Sequence, residues 1–91
     1  MEEIHVYMRI YGIVQGVGFR AFAVYHAKRL GIKGYVRNLS DGSVEIVAEG
    51  SRTSVELFID IVKRGSPFAL VKRIDIRYSD NIEGFTSFSI L

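Results

Sequence analysis

A glycine-rich segment near the N-terminus has the residue types of an anion-binding loop. It reads Gln15-Gly16-Val17-Gly18-Phe19-Arg20. Glycines take positive φ at little cost and let a ligand approach the backbone N–H groups, and a helix start adds partial positive charge. Arg20 adds a full charge and a planar fork of donors that matches phosphate oxygens. The segment predicts a phosphate-binding loop, although the same residues also suit a tight strand-to-helix turn with a surface arginine.

Two better-known phosphate motifs do not fit this segment. Gly16-x-Gly18-x-x-Ala21 matches the spacing of the dinucleotide-binding fingerprint, but that fold needs further parallel strands with crossovers, and a hairpin follows here. The nucleoside-triphosphate loop requires a Lys-Ser or Lys-Thr pair after the glycines, and this chain has neither at that place. Nucleotide binding is therefore not expected.

The amino-acid composition is poor in cysteine and histidine, which often serve in covalent catalysis and as metal ligands. The chain has 91 residues and no cysteine, which excludes disulfides, thiolate zinc sites and thiol nucleophiles. The two histidines, His5 and His26, cannot supply a site with three histidine ligands. Twelve basic against ten acidic residues give a net charge of +2, too small to indicate a nucleic-acid partner. We expect neither a metal ion nor a cofactor.

Hydrophobic periodicity predicts an alternating order of strands and helices. A period of two predicts strands, and recurrence at three and four residues predicts helices. The predicted strands cover residues 4–10, 33–39, 43–48 and 71–78, with a short final strand within 85–91, and the predicted helices cover 19–30 and 53–64. Asp41-Gly42 is typical of a hairpin turn. Thr53 with Glu56 has the capping-box spacing, which predicts that the second helix starts at Thr53.

The order β-α-β-β-α-β predicts a single α+β domain over residues 1–91 with the ferredoxin-like split βαβ arrangement. In this fold two helices cover one face of an antiparallel sheet, and the third strand lies between the first and the second. The loop after the first strand and the end of the second strand then share one sheet edge, about 10 Å apart. The fold therefore predicts that Arg20 and Asn38 face a common site. By residue type alone, an asparagine before a turn more often bonds the local backbone.

Two long segments closely resemble the signature segments of the acylphosphatase family. They read Gly12-x-Val14-Gln15-Gly16-Val17-Gly18-Phe19-Arg20 and Gly34-Tyr35-Val36-Arg37-Asn38-x-x-Asp41-Gly42-x-Val44-Glu45. The resemblance implies hydrolysis of acyl phosphates to a carboxylate and inorganic phosphate without metal or cofactor. It implies that residues 15–19 cradle the phosphate, that Arg20 binds it and that Asn38 orients the attacking water. Tyr35 stands where many members carry tryptophan, a packing difference that leaves this chemistry unchanged.

Two other functions are compatible with the same fold. Lys33-Gly34-Tyr35-Val36 faintly matches the start of an RNA-binding sheet motif, but it lies on the second strand, and residues 43–47 of the third strand carry no stacking aromatics. A non-catalytic phosphate-sensing domain is the other alternative. The chain has an acidic N-terminus and no apolar run of about 20 residues. We therefore expect a cytoplasmic monomer that binds acyl phosphate and phosphate, and neither nucleic acid nor a membrane.

Overall fold

The computed structural model describes residues 2–91. Seven elements follow one another along these residues: β1 (Glu3–Ile13), α1 (Phe19–Arg29), β2 (Lys33–Asn38), β3 (Val44–Ser51), α2 (Arg52–Arg64), β4 (Leu70–Ser79) and β5 (Phe88–Ile90). The predicted ferredoxin-like α+β fold is confirmed. No helix within residues 2–91 is long and apolar enough to cross a lipid bilayer.

The hydrophobic core lies between the helices and one face of the sheet. Residues at even positions of β1 from Ile4 to Ile10 point into it and are buried, while those at odd positions lie on the opposite, helix-free face, which we call the open face. One side of α2 contributes Val55, Phe58, Ile59 and Val62. The Phe58 side chain is completely buried, and burial of a side chain of this kind stabilises the fold by about 1.5–3 kcal/mol.

The strand order places the ends of β1 and β2 at one edge of the sheet. The order is β4-β1-β3-β2-β5, and β3 pairs antiparallel with both of its neighbours. Val44 at the start of β3 is the register partner of Ile10 on one side and of Asn38 on the other. Since adjacent strands are spaced by about 4.8 Å, Asn38 lies roughly 10 Å from Ile10 across the sheet, three residues before the end of β1.

The final strand lies within its predicted range, but its direction departs from the predicted antiparallel sheet. β5 comprises only Phe88–Ile90, and it pairs with β2 in parallel, with Val36 opposite Ile90. The sheet is therefore mixed, with four antiparallel strands and one short parallel strand at its edge. This pairing brings the C-terminal residues next to the strand that ends in Asn38.

The predicted start of the second helix was wrong. α2 begins at Arg52, and its N-cap is Ser51, whose hydroxyl accepts a hydrogen bond of 3.2 Å from the Ser54 N–H group. Thr53 therefore lies inside the first turn. The cause is a tertiary contact. Ser51 is paired with Glu3 of β1, so β3 continues to Ser51 and the helix starts directly after it.

Candidate active site

The loop between β1 and α1 is shaped by two glycines in the left-handed region. Gly16 has φ 74° and Gly18 has φ 78°, values that other residues rarely adopt. Gly18 is also the N-cap of α1, and it has no side chain with which to cap the helix. The first N–H groups of α1 therefore lack a side-chain acceptor, and they provide the donors and partial positive charge of an anion site.

An open cavity of about 230 Å³ lies against this loop and the first turn of α1. Its wall is formed by Val14, Gly16, Gly18, Phe19, Arg20, Ala21 and Ile90. Arg20 is exposed, and it forms none of the ion pairs found within residues 2–91. A guanidinium without a carboxylate partner at an uncapped helix start is suited to bind a phosphoryl group.

Asn38 is the last residue of β2, at the same sheet edge. Its Oδ1 atom is the single side-chain oxygen or nitrogen within residues 2–91 that is buried and has no hydrogen-bond partner. Such an atom costs about 1–3 kcal/mol unless a partner is supplied. The cavity wall includes Ile90, which is paired with Val36 two residues before Asn38. Asn38 therefore lies near the cavity without forming part of its wall.

Gln15 has a role that the sequence did not indicate. Its side-chain amide Nε2 donates hydrogen bonds to the backbone oxygens of Leu39, at 2.8 Å, and Ser43, at 2.9 Å. Its side chain thus ties the loop to the hairpin that follows Asn38, and only its backbone is left to face an anion. Val17 packs against the core and Phe19 is buried, so these two residues also offer a phosphate only their backbone N–H groups. Because the acceptors are backbone oxygens, no sequence pattern points to this contact.

The β2–β3 hairpin that receives Gln15 is held by Asp41. Its Oδ1 accepts hydrogen bonds from the Ser43 N–H, at 2.9 Å, and from the Ser43 hydroxyl, at 2.5 Å. Its Oδ2 accepts a hydrogen bond of 2.6 Å from Arg9 Nη2. The two hydrogen bonds from Ser43, together with the hydrogen bond and positive charge of Arg9, lower the pKa of Asp41 to about 2. Asp41 therefore does more than form a turn, because it fixes the hairpin to β1.

The open face of the sheet carries carboxylates along its centre. Glu45 is 7% exposed and accepts hydrogen bonds from Tyr7 at 2.9 Å, Tyr35 at 3.1 Å and Arg37 at 2.7 Å. Burial raises the pKa of Glu45, but the three hydrogen bonds together outweigh it and leave the pKa below its usual range. These contacts account for the positions of Tyr35 and Arg37.

The tyrosine rings of this face are already in contact with arginines. Arg77 lies 5.1 Å from the centroid of the Tyr7 ring, and Arg73 lies 4.1 Å from that of Tyr11. A single-stranded nucleic acid needs free aromatic faces and a positively charged surface. On the open face the rings of Tyr7 and Tyr11 each lie beside an arginine, and the buried carboxylate of Glu45 lies among the side chains of the same face.

The chain was compared with known protein families and structures. The acylphosphatase family model matches residues 6–90. This chain belongs to the acylphosphatase family. The resemblance seen in the two signature segments is confirmed over nearly the full chain, and with it the prediction that the protein is a hydrolase of the acylphosphatase type.

Individual acylphosphatases are similar to this chain from end to end. One from Caldivirga maquilingensis is 48% identical over 88 residues, which cover 96% of this chain and 93% of the relative. The crystal structure of acylphosphatase from Bacillus subtilis has a TM-score of 0.95 at 41% identity and covers 97% of this chain and 98% of that one.

The acylphosphatase fold also occurs inside a longer chain. Full-length HypF, solved in a phosphate- and nucleotide-bound form, has a TM-score of 0.88 at 28% identity, covering 99% of this chain but 12% of that one. The same fold is thus used both in a chain of about this size and as one part of a much larger protein.

Proposed function

We propose that this protein hydrolyses acyl phosphates to a carboxylate and inorganic phosphate, with the phosphoryl group bound by residues 15–20 and the attacking water oriented by Asn38. The observation that carries the proposal is the open cavity at the uncapped start of α1, which Arg20 and the loop glycines line and beside which Asn38 ends β2. The family membership supplies the class of reaction.

In this proposal the phosphoryl oxygens are bound by backbone N–H groups and Arg20. Gly16 and Gly18 hold the loop in a left-handed conformation that turns successive N–H groups toward one point. The uncapped start of α1 adds further donors and its dipole. Phosphoryl transfer is accelerated chiefly by positioning and by stabilising charge on the equatorial oxygens, so these groups provide the main part of the catalysis.

In this proposal Asn38 orients the water molecule that attacks phosphorus. Its Oδ1 accepts a hydrogen bond from a water whose oxygen attacks phosphorus in line with the bond to the acyl oxygen. The geometry depends on the spacing of β1 and β2 across β3, where Val44 pairs with both Ile10 and Asn38. A water held in this way reacts as part of one assembled complex, which lowers the entropic cost of the attack.

The bond changes are simple because the leaving group is a weak base. A P–O bond forms to the water oxygen, and the P–O bond to the acyl group breaks with its electron pair remaining on the carboxylate. The carboxylate leaves without protonation, and the water proton passes to a phosphate oxygen. No general acid, general base or metal ion is required from the protein.

The test is the hydrolysis of benzoyl phosphate in isotopically labelled water. We expect turnover well above the spontaneous rate, unchanged by a chelator, with the label appearing in phosphate and not in benzoate. Label in benzoate would show attack at the carbonyl carbon and would contradict the role of Asn38. Binding of inorganic phosphate without turnover would instead indicate the phosphate-sensing alternative.

A further inference from the structure

A second cluster of chemically capable side chains lies on the open face, outside the candidate active site. It consists of His5 on β1, Glu49 on β3 and Glu83 in the segment before β5. His5 Nδ1 lies 2.6 Å from Glu49 Oε2 and 3.9 Å from Glu83 Oε2, and the three ligand atoms all lie within 4.8 Å of one another. One imidazole and two carboxylates thus converge on a single point.

We propose that His5, Glu49 and Glu83 form a binding site for a divalent transition-metal ion, for which Zn²⁺ is the probe. An imidazole nitrogen with carboxylate oxygens suits zinc, whereas Ca²⁺ and Mg²⁺ require oxygen ligands in larger number or with bound water. Three protein ligands leave one tetrahedral position for water. Counting histidines alone missed this site, because two of its three ligands are glutamates.

The distances fit an ion with small movements of the side chains. Zinc–ligand bonds of about 2.0–2.1 Å in a tetrahedron separate neighbouring ligand atoms by about 3.3 Å. The two distances from His5 Nδ1, 2.6 and 3.9 Å, lie on either side of that value. The proton between Nδ1 and Oε2 occupies the place of the ion, and it leaves to solvent or moves to Nε2 when the ion binds.

The Glu49 carboxylate is held as metal-binding carboxylates generally are. Its side chain is 3% exposed. Its oxygens accept hydrogen bonds from the backbone N–H groups of Glu83, at 2.7 Å, and Gly84, at 3.1 Å. Hydrogen bonds from groups behind a ligand fix its orientation and strengthen metal binding. The same hydrogen bonds place the Glu83 side chain beside His5. The backbone of residues 83 and 84 therefore orients the Glu49 ligand and also positions the Glu83 ligand.

The position of the cluster gives the ion a structural role. His5 lies near the start of β1 and the phosphate loop follows its end at Ile13, eight residues or about 27 Å away along the strand. An ion at His5 is therefore remote from the phosphate. It would link β1, β3 and the segment that leads into β5, and it would stabilise the folded protein because the unfolded chain lacks the assembled site. The proposal is independent of the proposed function.

The experiment is a titration with Zn²⁺ by calorimetry, using the full chain without a polyhistidine tag. We expect one ion per chain, a rise in melting temperature with zinc, and no binding of Mg²⁺. Glu83→Gln and His5→Gln each remove a ligand and should weaken binding at least tenfold, the lower limit found when groups behind a ligand are removed. Glu83 is 62% exposed, so its replacement leaves the fold intact.

Two variants serve as matched controls. Glu2→Gln removes a carboxylate of equal exposure, 63%, that lies beside Arg52, and His26→Gln removes the other imidazole, which packs on Phe22 and Tyr25. Both should bind zinc as the unaltered chain does. The proposal is overturned if zinc in excess does not bind, if Glu83→Gln binds normally, or if His26→Gln loses the ion. Benzoyl phosphate turnover should be equal with zinc and with chelator, since a change would place the ion in the active site.

Discussion

The side-chain amide of Gln15 donates a hydrogen bond of 2.8 Å to the backbone oxygen of Leu39, the residue that follows Asn38. A second bond from the same nitrogen reaches the Ser43 oxygen at 2.9 Å. One side chain therefore joins the phosphate loop to both arms of the hairpin that presents Asn38. In the proposed mechanism this link sets the distance between the bound phosphate and the attacking water, so we propose Gln15 as a positioning residue.

Replacing Gln15 with leucine should lower kcat more than it raises KM for benzoyl phosphate. The two backbone oxygens lose their donor, at a cost of about 1–3 kcal/mol in unfolding free energy, and Asn38 moves relative to the loop. Kinetics and urea unfolding together measure both effects. Unchanged kcat in a variant with reduced stability would show that the link is only structural.

Replacing Asn38 with alanine should lower kcat about 100-fold, the effect of a small misplacement of a reacting group. Inorganic phosphate should still inhibit, because the loop and Arg20 are unchanged. Asn81→Ala is the matched control, since Asn81 is exposed in the segment after β4. Steady-state kinetics with phosphate as inhibitor separates the effect on turnover from the effect on phosphate binding. Equal turnover in both variants would remove the proposed role of Asn38.

Replacing Arg20 with alanine should lower kcat/KM about 10³-fold, as for other arginines that stabilise a transferring phosphoryl group. Phosphate inhibition should weaken at the same time. Arg20→Lys should recover little of the activity, since an ammonium ion lacks the planar donor fork. Arg64→Ala, an exposed arginine at the end of α2, serves as the control. Phosphate inhibition unaltered in Arg20→Ala would contradict the assignment.

The stability of the protein should fall in acid partly through Asp41. Its pKa is lowered to about 2 by hydrogen bonds from Ser43 and Arg9, against about 3.9 in an unfolded chain. A lowered pKa stabilises the fold above about pH 3.9, and that stabilisation is lost as the pH falls through about 2. Melting temperatures of Asp41→Asn should therefore depend less on pH in this interval, while Asp60→Asn, on α2, should behave as the unaltered chain.

Replacing Ser51 with alanine should destabilise the protein by about 1 kcal/mol, the usual cost of losing an N-cap. The Ser54 N–H group then loses its acceptor. Thr53→Ala, one residue inside the helix, should change the unfolding free energy by much less. Urea denaturation compares the two. A larger loss of unfolding free energy in Thr53→Ala than in Ser51→Ala would contradict the assignment of Ser51 as the N-cap of α2.

The fold and the glycine turn before α1 were predictable because their signals are local. Alternation in β1, the heptad-like spacing in α2 and the glycines before Arg20 each depend on neighbouring residues. The start of α2 was not predictable, because Ser51 and Thr53 are both acceptable N-caps. Pairing of Ser51 with Glu3 extends β3 and decides between them.

The sequence by itself determined the order of the elements and the glycines of the loop before Arg20, and it predicted that Arg20 and Asn38 face a common site. Only the tertiary structure decided that Gln15 reaches two backbone oxygens and that His5 meets Glu49, 44 residues away. The physical reason is that a hydrogen bond to a backbone oxygen or across a strand register depends on position rather than on residue type. Such contacts exist only once the sheet has brought distant strands together.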